Sequence, residues 1–212
     1  MKNVVKCCSL TKQMAMDEPD SNPNPNPNPN PKSKSKSKLK HKQKGESDTY
    51  IVTTRFNTET WNRNQVYREK NGIIGCFYSD QVRISSAIPS KTNVFIIEMN
   101  NSLNRIEGIG LVLNKIGYDE YTNVYDIRNY NRYVYSGKHR IDREILETHN
   151  AELVRILEDV LFKGKSHMKR GAGFTQMTPK IMSNPKCAHI NILNEICKIF
   201  IEVYHKEGDT SP

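Results

Sequence analysis

The chain has 212 residues and a formal net charge of +9, a length that suits one folded domain of ordinary size with a tail. Residues 32–44 hold seven lysines and no acidic residue, and residues 1–31 are neutral in sum. The nine net charges less these seven leave +2 for residues 45–212. A nucleic-acid surface on the body would therefore have to come from clustered charge and not from bulk charge.

The cysteine count and the lack of long apolar segments argue against a secreted or membrane-spanning protein. Five cysteines, an odd number, occur without a secretory signal, since the first ten residues have no long apolar segment. This combination favours a reducing compartment and free thiols. No run of residues approaches the roughly 18 apolar positions that span a bilayer. We expect a soluble intracellular protein, cytoplasmic or nuclear, without a membrane partner.

The first 47 residues are predicted to be a disordered tail. Residues 22–31 are five consecutive Asn-Pro units, and residues 32–38 alternate Lys with Ser. Proline blocks helix and sheet, and the like charges repel one another with nothing apolar to bury. The Lys/Ser segment could be a basic arm that adds salt-sensitive affinity for nucleic acid, a nuclear localisation signal, or a repeat without a specific role.

The first half of the body is predicted to contain one helix and several strands. β-Branched and aromatic runs bounded by turn residues mark the strands, and Asn57 or Thr58 marks the start of the helix. The predicted strands cover residues 49–54, 73–78, 81–86, 93–99 and 105–115, and the helix ends at Lys70. The last two strands form the clearest hairpin. Gly108 and Gly110 lie inside a strand with no helix after it, so they predict a bulge or a tight bend and not a nucleotide-binding loop.

A second region combines tyrosines with basic residues. Residues 118–135 are rich in Tyr and Asn, and residues 129–135 and 138–143 resemble strands. The basic residues of this cluster are Arg128, Arg132, Lys138, His139, Arg140 and Arg143. Such a mixture suits phosphate contacts with base stacking. It equally suits a solvated strand edge whose tyrosines pack on the core.

The C-terminal third is predicted to be two helices joined by a basic loop. Apolar spacing predicts a helix over residues 142–162 and a second helix from Ser183-Asn-Pro185, with residues 208–212 frayed. The loop between them holds Lys163, Lys165, His167, Lys169 and Arg170, interspersed with Gly164, Gly171 and Gly173. Glycines permit positive φ, and the cations with exposed N–H groups suit phosphates. The alternative is an ordinary solvated connector.

Metal and catalytic patterns are weak. Cys187 and Cys197 are ten residues apart on one predicted helix, roughly 15 Å, so they cannot share a metal even with His189 between them. We expect no metal and no cofactor. A nucleic-acid-processing enzyme could use a base chosen from His139, Asp142 and His167, with Glu98 from the central strand. No Walker loop, nucleophile elbow or HExxH motif is present.

Two segments carry a family resemblance. "YIVTTRFNTETW" and "VFIIEMNNSLNRIEGIGLVLNKI" resemble the PUA-like superfamily, especially its EVE and ASCH branches, over about residues 49–143. "YNRYVYSGKHRIDR" and "FKGKSHMKRGAGFT" look like segments of uncharacterised proteins of large DNA viruses. The resemblance implies a small barrel whose cleft holds a nucleobase, sometimes a modified one, between aromatics. Carried over, it points to Thr53, Thr54, Trp61 and Tyr78.

Together these patterns predict a single α+β domain over residues 48–207. Its small, mainly antiparallel, barrel-like sheet of PUA-like type would carry an N-terminal helix and two C-terminal helices. The leading hypothesis is a non-catalytic module that binds RNA or DNA. The predicted phosphate-contacting residues are Arg128, Arg132, Lys138, Arg140, Arg143, Lys163, Lys165, His167, Lys169 and Arg170. The alternatives are a nucleic-acid-processing enzyme and a viral structural or scaffold protein.

Overall fold

The computed structural model describes residues 49–117, 123–165 and 167–205. The predicted tail over 1–47, the frayed C-terminus over 208–212 and part of the tyrosine-rich stretch lie outside these residues. The strands are β1 (Tyr50–Phe56), β2 (Cys76–Asp80), β3 (Asn93–Asn100), β4 (Arg105–Leu113), β5 (Tyr133–Gly137), β6 (His139–Asp142) and β7 (Thr175–Gln176). The α-helices are α1 (Thr58–Lys70), α2 (Arg143–Phe162), α3 (Pro179–Met182) and α4 (Ile192–His205). Single 3-10 turns cover Arg128–Asn131 and Pro185–Cys187.

The strands form one five-stranded sheet and one two-stranded ribbon. The order in the sheet is β6-β4-β3-β1-β7, and β2 pairs with β5 in the ribbon. Only β1 and β3 run parallel, and every other pairing of named strands is antiparallel. The α+β class, the N-terminal helix and the mainly antiparallel sheet are confirmed. The sheet is open, with β6 and β7 at its two edges in the described part of the chain, so the predicted barrel closure is not confirmed.

Local sequence signals explain the best-predicted elements. Asn57 caps α1, because its side chain accepts from Thr60 N at 2.7 Å while Thr60 Oγ1 accepts from Asn57 N at 3.0 Å. This reciprocal capping box satisfies two N–H groups that a helix start leaves open. The β3–β4 hairpin is also confirmed, and its turn places Asn104 at a φ of 53°. The register shifts beside Glu98 and Gly108, so the predicted bulge lies at this end of β4.

Several predicted boundaries are wrong, and the strand expected over residues 129–135 covers Tyr133–Gly137. Residues 81–86 form a loop and no strand, because Val82 N donates to Asp80 Oδ1 and Ile84 N donates to the hydroxyl of Tyr135. The second strand begins at Cys76, after a turn in which Gly72 has a φ of 64°. The last helix begins at Ile192, because the proline expected to open it instead lies in the short turn Pro185–Cys187.

The central sheet separates two apolar layers. Alternate side chains of a strand point to opposite faces, and in β3 Phe95, Ile97 and Met99 pack in the layer that holds α2 and α4. Val94 and Ile96 pack in the other layer, which holds Trp61 of α1 and the β2–β5 ribbon. The fold is therefore a three-layer arrangement with the sheet in the middle.

Two glycines let the ribbon lie directly against β4. A Cβ atom on Gly137 would be 2.0 Å from the carbonyl oxygen of Leu111. A Cβ atom on Gly110 would be 2.2 Å from the hydroxyl oxygen of Tyr78. Real side chains do not approach this closely, so both positions require the absence of a side chain.

The β6 edge is covered by the last helix. The hydroxyl of Tyr204 accepts from Arg140 N at 2.9 Å and donates to Arg140 O at 2.7 Å. The ring of His139 packs against Tyr204 with centroids 4.6 Å apart. The tyrosine thus occupies the backbone positions that a neighbouring strand would use.

Two further predictions can be compared with the structure. None of the helices in the described residues combines the length and apolar character needed to cross a bilayer. Cys76 and Cys187 are buried free thiols, whereas Cys197 is disulfide-bonded. The expectation of free thiols therefore holds for Cys76 and Cys187 and is wrong for Cys197, whereas Cys7 and Cys8 lie outside the described residues.

Candidate nucleic-acid interface

A pocket of about 330 Å³ opens where the carboxyl ends of β1 and β2 meet the first turn of α1. The segment before β5 closes its other side. Its lining residues are Thr54, Arg55, Asn57, Glu59, Thr60, Arg63, Ser79, Asp80, Tyr125, Asp126, Ile127 and Tyr130. These residues come from three separate segments of the chain, 54–63, 79–80 and 125–130, so the pocket exists only in the folded protein.

The pocket contains two buried polar groups whose hydrogen-bonding capacity is not used up. Thr54 is 4 % exposed, and its hydroxyl makes no hydrogen bond with a described residue. Asp80 is 8 % exposed, and its Oδ1 accepts from Val82 N at 3.0 Å, but no described side chain donates to either oxygen. Burial raises the pKa of Asp80. The backbone N–H groups of Val82 and Gln81 and the charge of Arg55 partly oppose this increase. Both groups therefore keep hydrogen-bonding capacity that a polar ligand could use.

Arg55 connects the pocket to the glycine-rich basic loop. Its Nε donates to the carbonyl of Met168 at 2.6 Å, and its Nη1 donates to the carbonyl of Gly173 at 3.0 Å. Burial lowers the pKa of Arg55, and the nearby charge of Asp80 partly opposes this effect. Residues 168–173 are therefore held beside the pocket by the side chain that lines it.

Two tyrosines form part of the pocket wall. The rings of Tyr125 and Tyr130 meet edge to face, with centroids 6.2 Å apart. Tyr125 is buried and burial raises its pKa, whereas Tyr130 is 39 % exposed. Ser79 Oγ donates to the carbonyl of Tyr130 at 2.8 Å, and Asn131 Nδ2 donates to the carbonyl of Tyr125 at 2.7 Å. The wall is thus fixed to β2 and carries a partly exposed aromatic face.

The charges at the mouth of the pocket are nearly balanced. Arg63 pairs with Glu59 at 2.9 Å and with Asp126 at 2.5 Å. With Arg55 and Asp80, the lining holds two cationic and three acidic side chains. An interior of this kind suits an uncharged base better than a phosphate, which would meet three carboxylates.

The predicted conformation of the basic loop is confirmed. Gly164, Gly171 and Gly173 have φ values of 83°, 108° and 69°, which side-chain-bearing residues rarely adopt. Gly173 also packs closely, because a Cβ atom there would be 2.7 Å from the Cβ of Val82. The loop is therefore specifically shaped where it passes the pocket.

The cations of that loop differ in availability. Lys163 pairs with Asp159 at 2.6 Å, and Lys169 Nζ donates to Asn104 Oδ1 at 2.5 Å. His167 is half-buried, and its Nδ1 accepts from the backbone N–H of Lys169. Lys165 and Arg170 are exposed and form no ion pair with a described residue. The last two are the loop cations best placed for a phosphate.

The second basic cluster divides into exposed and buried members. Arg128, Arg132 and Lys138 are exposed. The Arg140 side chain is 4 % exposed and binds Glu98 and Asp142. The Arg143 side chain is 17 % exposed and pairs with Glu147 and Glu158. Arg140 and Arg143 are therefore neutralised within the fold. Arg128 and Arg132 are exposed on the segment whose Ile127 and Tyr130 line the pocket. Together with Lys165 and Arg170 they are called the basic rim below.

Of the base-pocket residues implied by the resemblance, the structure places Thr54 alone in the pocket lining. Thr53 projects from the opposite face of β1. Trp61 packs against Phe56 with ring centroids 5.3 Å apart, and Tyr78 is fully buried with its hydroxyl bound to Glu98 at 2.6 Å. Sequence reasoning missed Arg55 and Asp80. The tyrosine-rich composition of residues 118–135 was the one available signal for Tyr125 and Tyr130.

The two histidine candidates lie in separate environments, whereas Asp142 and Glu98 bind the same arginine, Arg140. His139 and Asp142 are three residues apart on β6 and so project from opposite faces. His139 packs on Tyr204, Asp142 accepts from Arg140, and His167 accepts from a backbone N–H of its own loop. Glu98 is buried and bound to Arg140 and Tyr78. For His167, Asp142 and Glu98, these contacts do not join a base to an orienting partner.

A titrating thiol lies beneath the ribbon. Cys76 is fully buried, and burial raises its pKa from 9.0 to about 12. Between these two pH values the unfolded thiol loses its proton while the folded thiol keeps it. Stability from this group is therefore complete below the unfolded pKa and is lost as pH rises toward the folded pKa, by up to ~1.4 kcal/mol per pH unit.

We expect Cys76→Ala to remove this alkaline sensitivity. The variant should be less stable than the wild type at neutral pH, because it leaves a small cavity. The difference in free energy of unfolding should then shrink from about pH 9 to about pH 12. Urea unfolding of both proteins at a series of pH values measures this difference in free energy of unfolding. A difference that stays constant over this range would contradict the buried, protonated thiol.

Among the described residues, no group of three His, Cys, Asp or Glu side chains is placed to hold a metal ion. Comparison with known proteins gives no match to a protein-family model, to a curated protein or to a solved structure.

Proposed function

We propose that this protein is a nucleic-acid-binding module in which one base enters the pocket beside β1 and the sugar-phosphate backbone lies on the basic rim. The observation that carries the proposal is the buried pair Thr54 and Asp80 inside a pocket flanked by two exposed basic segments. A base has polar edges for such groups and a flat face for an aromatic wall. Phosphates would remain outside, where the lining carboxylates do not face them.

The position of the rim supports this division of roles. Arg128 and Arg132 flank the turn that carries Tyr130, and Tyr130 lines the pocket. Arg170 follows Lys169 in the loop that Arg55 holds at Met168 and Gly173. The two exposed cationic groups therefore lie on segments that each contribute to, or are bound by, the pocket lining. A single strand could contact both while one of its bases is inserted.

A PUA-like relationship is part of this proposal. In support of it, a strand and a capped helix open the domain, and the candidate base pocket lies beside both. The open sheet and the two long C-terminal helices are departures from a minimal small barrel. The proposed function rests on the pocket and its rim and not on this relationship.

The test is fluorescence anisotropy of the full chain with labelled single-stranded RNA and DNA oligomers at several salt concentrations. We expect Arg128→Ala/Arg132→Ala and Lys165→Ala/Arg170→Ala each to weaken binding by about tenfold or more at physiological salt. Each should also reduce the slope of log K against log[salt] by about two.

The matched control removes the same charge elsewhere. Lys70 and Lys180 are exposed, and neither lines the pocket. Because Lys70→Ala/Lys180→Ala leaves the rim intact, it should weaken binding much less than either rim variant. Equal losses in all three double variants would show that only non-specific charge is involved and would sink the proposal.

A further inference from the structure

We infer that the base accepted by this pocket is guanine, read along its Watson–Crick edge by the carboxylate of Asp80. The inference rests on the proposed function and adds the identity of the base. Its evidence is the hydrogen-bonding chemistry of the buried groups, which the charged rim does not determine.

A carboxylate selects for adjacent N–H donors. An ionised carboxylate only accepts hydrogen bonds, through two oxygens. Guanine presents N1–H and the 2-amino group side by side, so one carboxylate can accept from both. Adenine and cytosine place a ring-nitrogen lone pair beside their amino group, which would face a carboxylate lone pair. Uracil and thymine have one N–H between two carbonyls. Of the common bases, guanine alone matches both oxygens.

The structure fixes the carboxylate in one orientation. Val82 N donates to Asp80 Oδ1 at 3.0 Å, in a turn that starts from the end of β2. Gly173 closes the same side, because a Cβ atom there would be 3.3 Å from Asp80 Oδ1. Asp80 is 8 % exposed, so water competes little for the remaining acceptor sites. A buried acceptor held in place discriminates strongly between matching and mismatching edges.

The pocket also offers a donor for the carbonyl at position 6 of guanine. Arg55 donates from Nε to the carbonyl of Met168 and from Nη1 to the carbonyl of Gly173. Its Nη2 forms no hydrogen bond with a described residue. The Thr54 hydroxyl is a second available donor. Tyr130 supplies a partly exposed ring for the flat face of the base. Acceptor, donor and aromatic surface therefore occur together in one lining.

Asp80→Asn gives a test with an opposite sign for two ligands. The backbone N–H of Val82 requires an acceptor, so the new amide keeps its oxygen there and places its NH2 where Oδ2 was. In the inferred pose the 2-amino group binds Oδ2 and N1–H binds Oδ1, so in the variant guanine would place its 2-amino donor against the new NH2 donor. Xanthine, which carries a carbonyl at that position, accepts from the new amide. The substitution should therefore exchange a guanine preference for a xanthine preference.

In the experiment, the full chain is titrated with the 5′-monophosphates of guanosine, inosine, xanthosine, adenosine, cytidine and uridine. Binding is measured by calorimetry or by ligand-observed NMR. For the wild type we expect guanosine monophosphate to bind about tenfold or more tightly than inosine monophosphate, which lacks the 2-amino group. In Asp80→Asn the order of the guanosine and xanthosine nucleotides should reverse. Glu69→Gln is the matched control, because it removes an exposed carboxylate that does not line the pocket and should leave the order unchanged.

The outcomes separate this inference from the proposed function. Oligomers that bind through the rim, without a guanine preference in the wild type, would overturn the inference and leave the proposed function standing. Absence of binding by every oligomer and nucleotide would overturn both. If Asp80→Asn does not fold, the comparison of guanosine with inosine nucleotides on the wild type still decides the matter.

Discussion

Replacing Arg140 with methionine should destabilise the protein by about 3–5 kcal/mol, because it would leave Glu98 as an unpaired buried charge. Arg140 Nε lies 2.9 Å from Glu98 Oε1, and its Nη2 lies 2.7 Å from Oε2, so the pair is bidentate. The side chains are 4 % and 1 % exposed, and the guanidinium also lies 5.4 Å from the centre of the Trp61 ring. The loss should be visible as a lower midpoint in urea unfolding with an unchanged slope.

Two comparisons isolate the buried charge. Arg140→Met/Glu98→Leu removes both charges and should recover much of the stability, since well-packed apolar replacements of buried ion pairs are often neutral. Arg155→Met removes an arginine whose side chain is 62 % exposed and whose ion pairs lie on the surface of α2. It should cost less than about 1 kcal/mol. Equal effects of Arg140→Met and Arg155→Met would contradict the buried position of Glu98.

Gly137→Ala should cost about 3 kcal/mol or more, because β5 and β4 leave no room for a side chain at this position. The new Cβ atom would lie 2.0 Å from the carbonyl oxygen of Leu111. That oxygen belongs to the backbone of a central strand, so it cannot rotate away as a side chain would. To remove this clash, the ribbon would have to move away from the sheet, which would open the apolar layer that contains Trp61 and Tyr135.

Gly117→Ala is the matched control for this substitution. Its new Cβ atom would come no closer than 3.6 Å to any neighbour, an ordinary contact distance. It should therefore change the melting temperature little or raise it slightly, through the reduced freedom of the unfolded chain. Thermal unfolding followed by circular dichroism compares the two. A Gly137→Ala protein as stable as Gly117→Ala would mean that the ribbon does not lie against β4 as the structure places it.

Elements with a strong local signal were predictable. The capped start of α1, the β3–β4 hairpin and the apolar spacing of α2 each depend on residues close together in the chain. The positive φ values at Gly171 and Gly173 also follow from residue type. These features needed no knowledge of distant contacts.

The parallel pairing of β1 with β3 could not be predicted from local pattern, since it joins strands separated by a helix and a third strand. The same holds for β7, which pairs with β1 across more than a hundred residues. Arg140 looked like a surface cation beside other cations. Its partner Glu98 lies 42 positions away, and no spacing rule connects them. The sequence shows that Arg140 is a cation, but it does not show that Glu98 neutralises this charge in the fold.

The candidate pocket was beyond prediction for the same reason. Thr54, Asp80 and Tyr130 lie on three segments, and each is unremarkable in its own sequence context. The family resemblance indicated the correct end of β1 through Thr54, but it also indicated Trp61 and Tyr78, which are structural. Thr54 and Asp80 stand out because both are buried while no described side chain donates to them, and this property belongs to the folded state alone.

The contact between Tyr204 and the edge strand has a consequence for solubility. An open edge strand invites another chain to add to the sheet, and repeated addition leads to fibres. The tyrosine hydroxyl satisfies both backbone groups of Arg140, so an incoming strand would find neither a donor nor an acceptor there. The last turn of α4 therefore hinders strand addition at this edge, in addition to packing against the sheet.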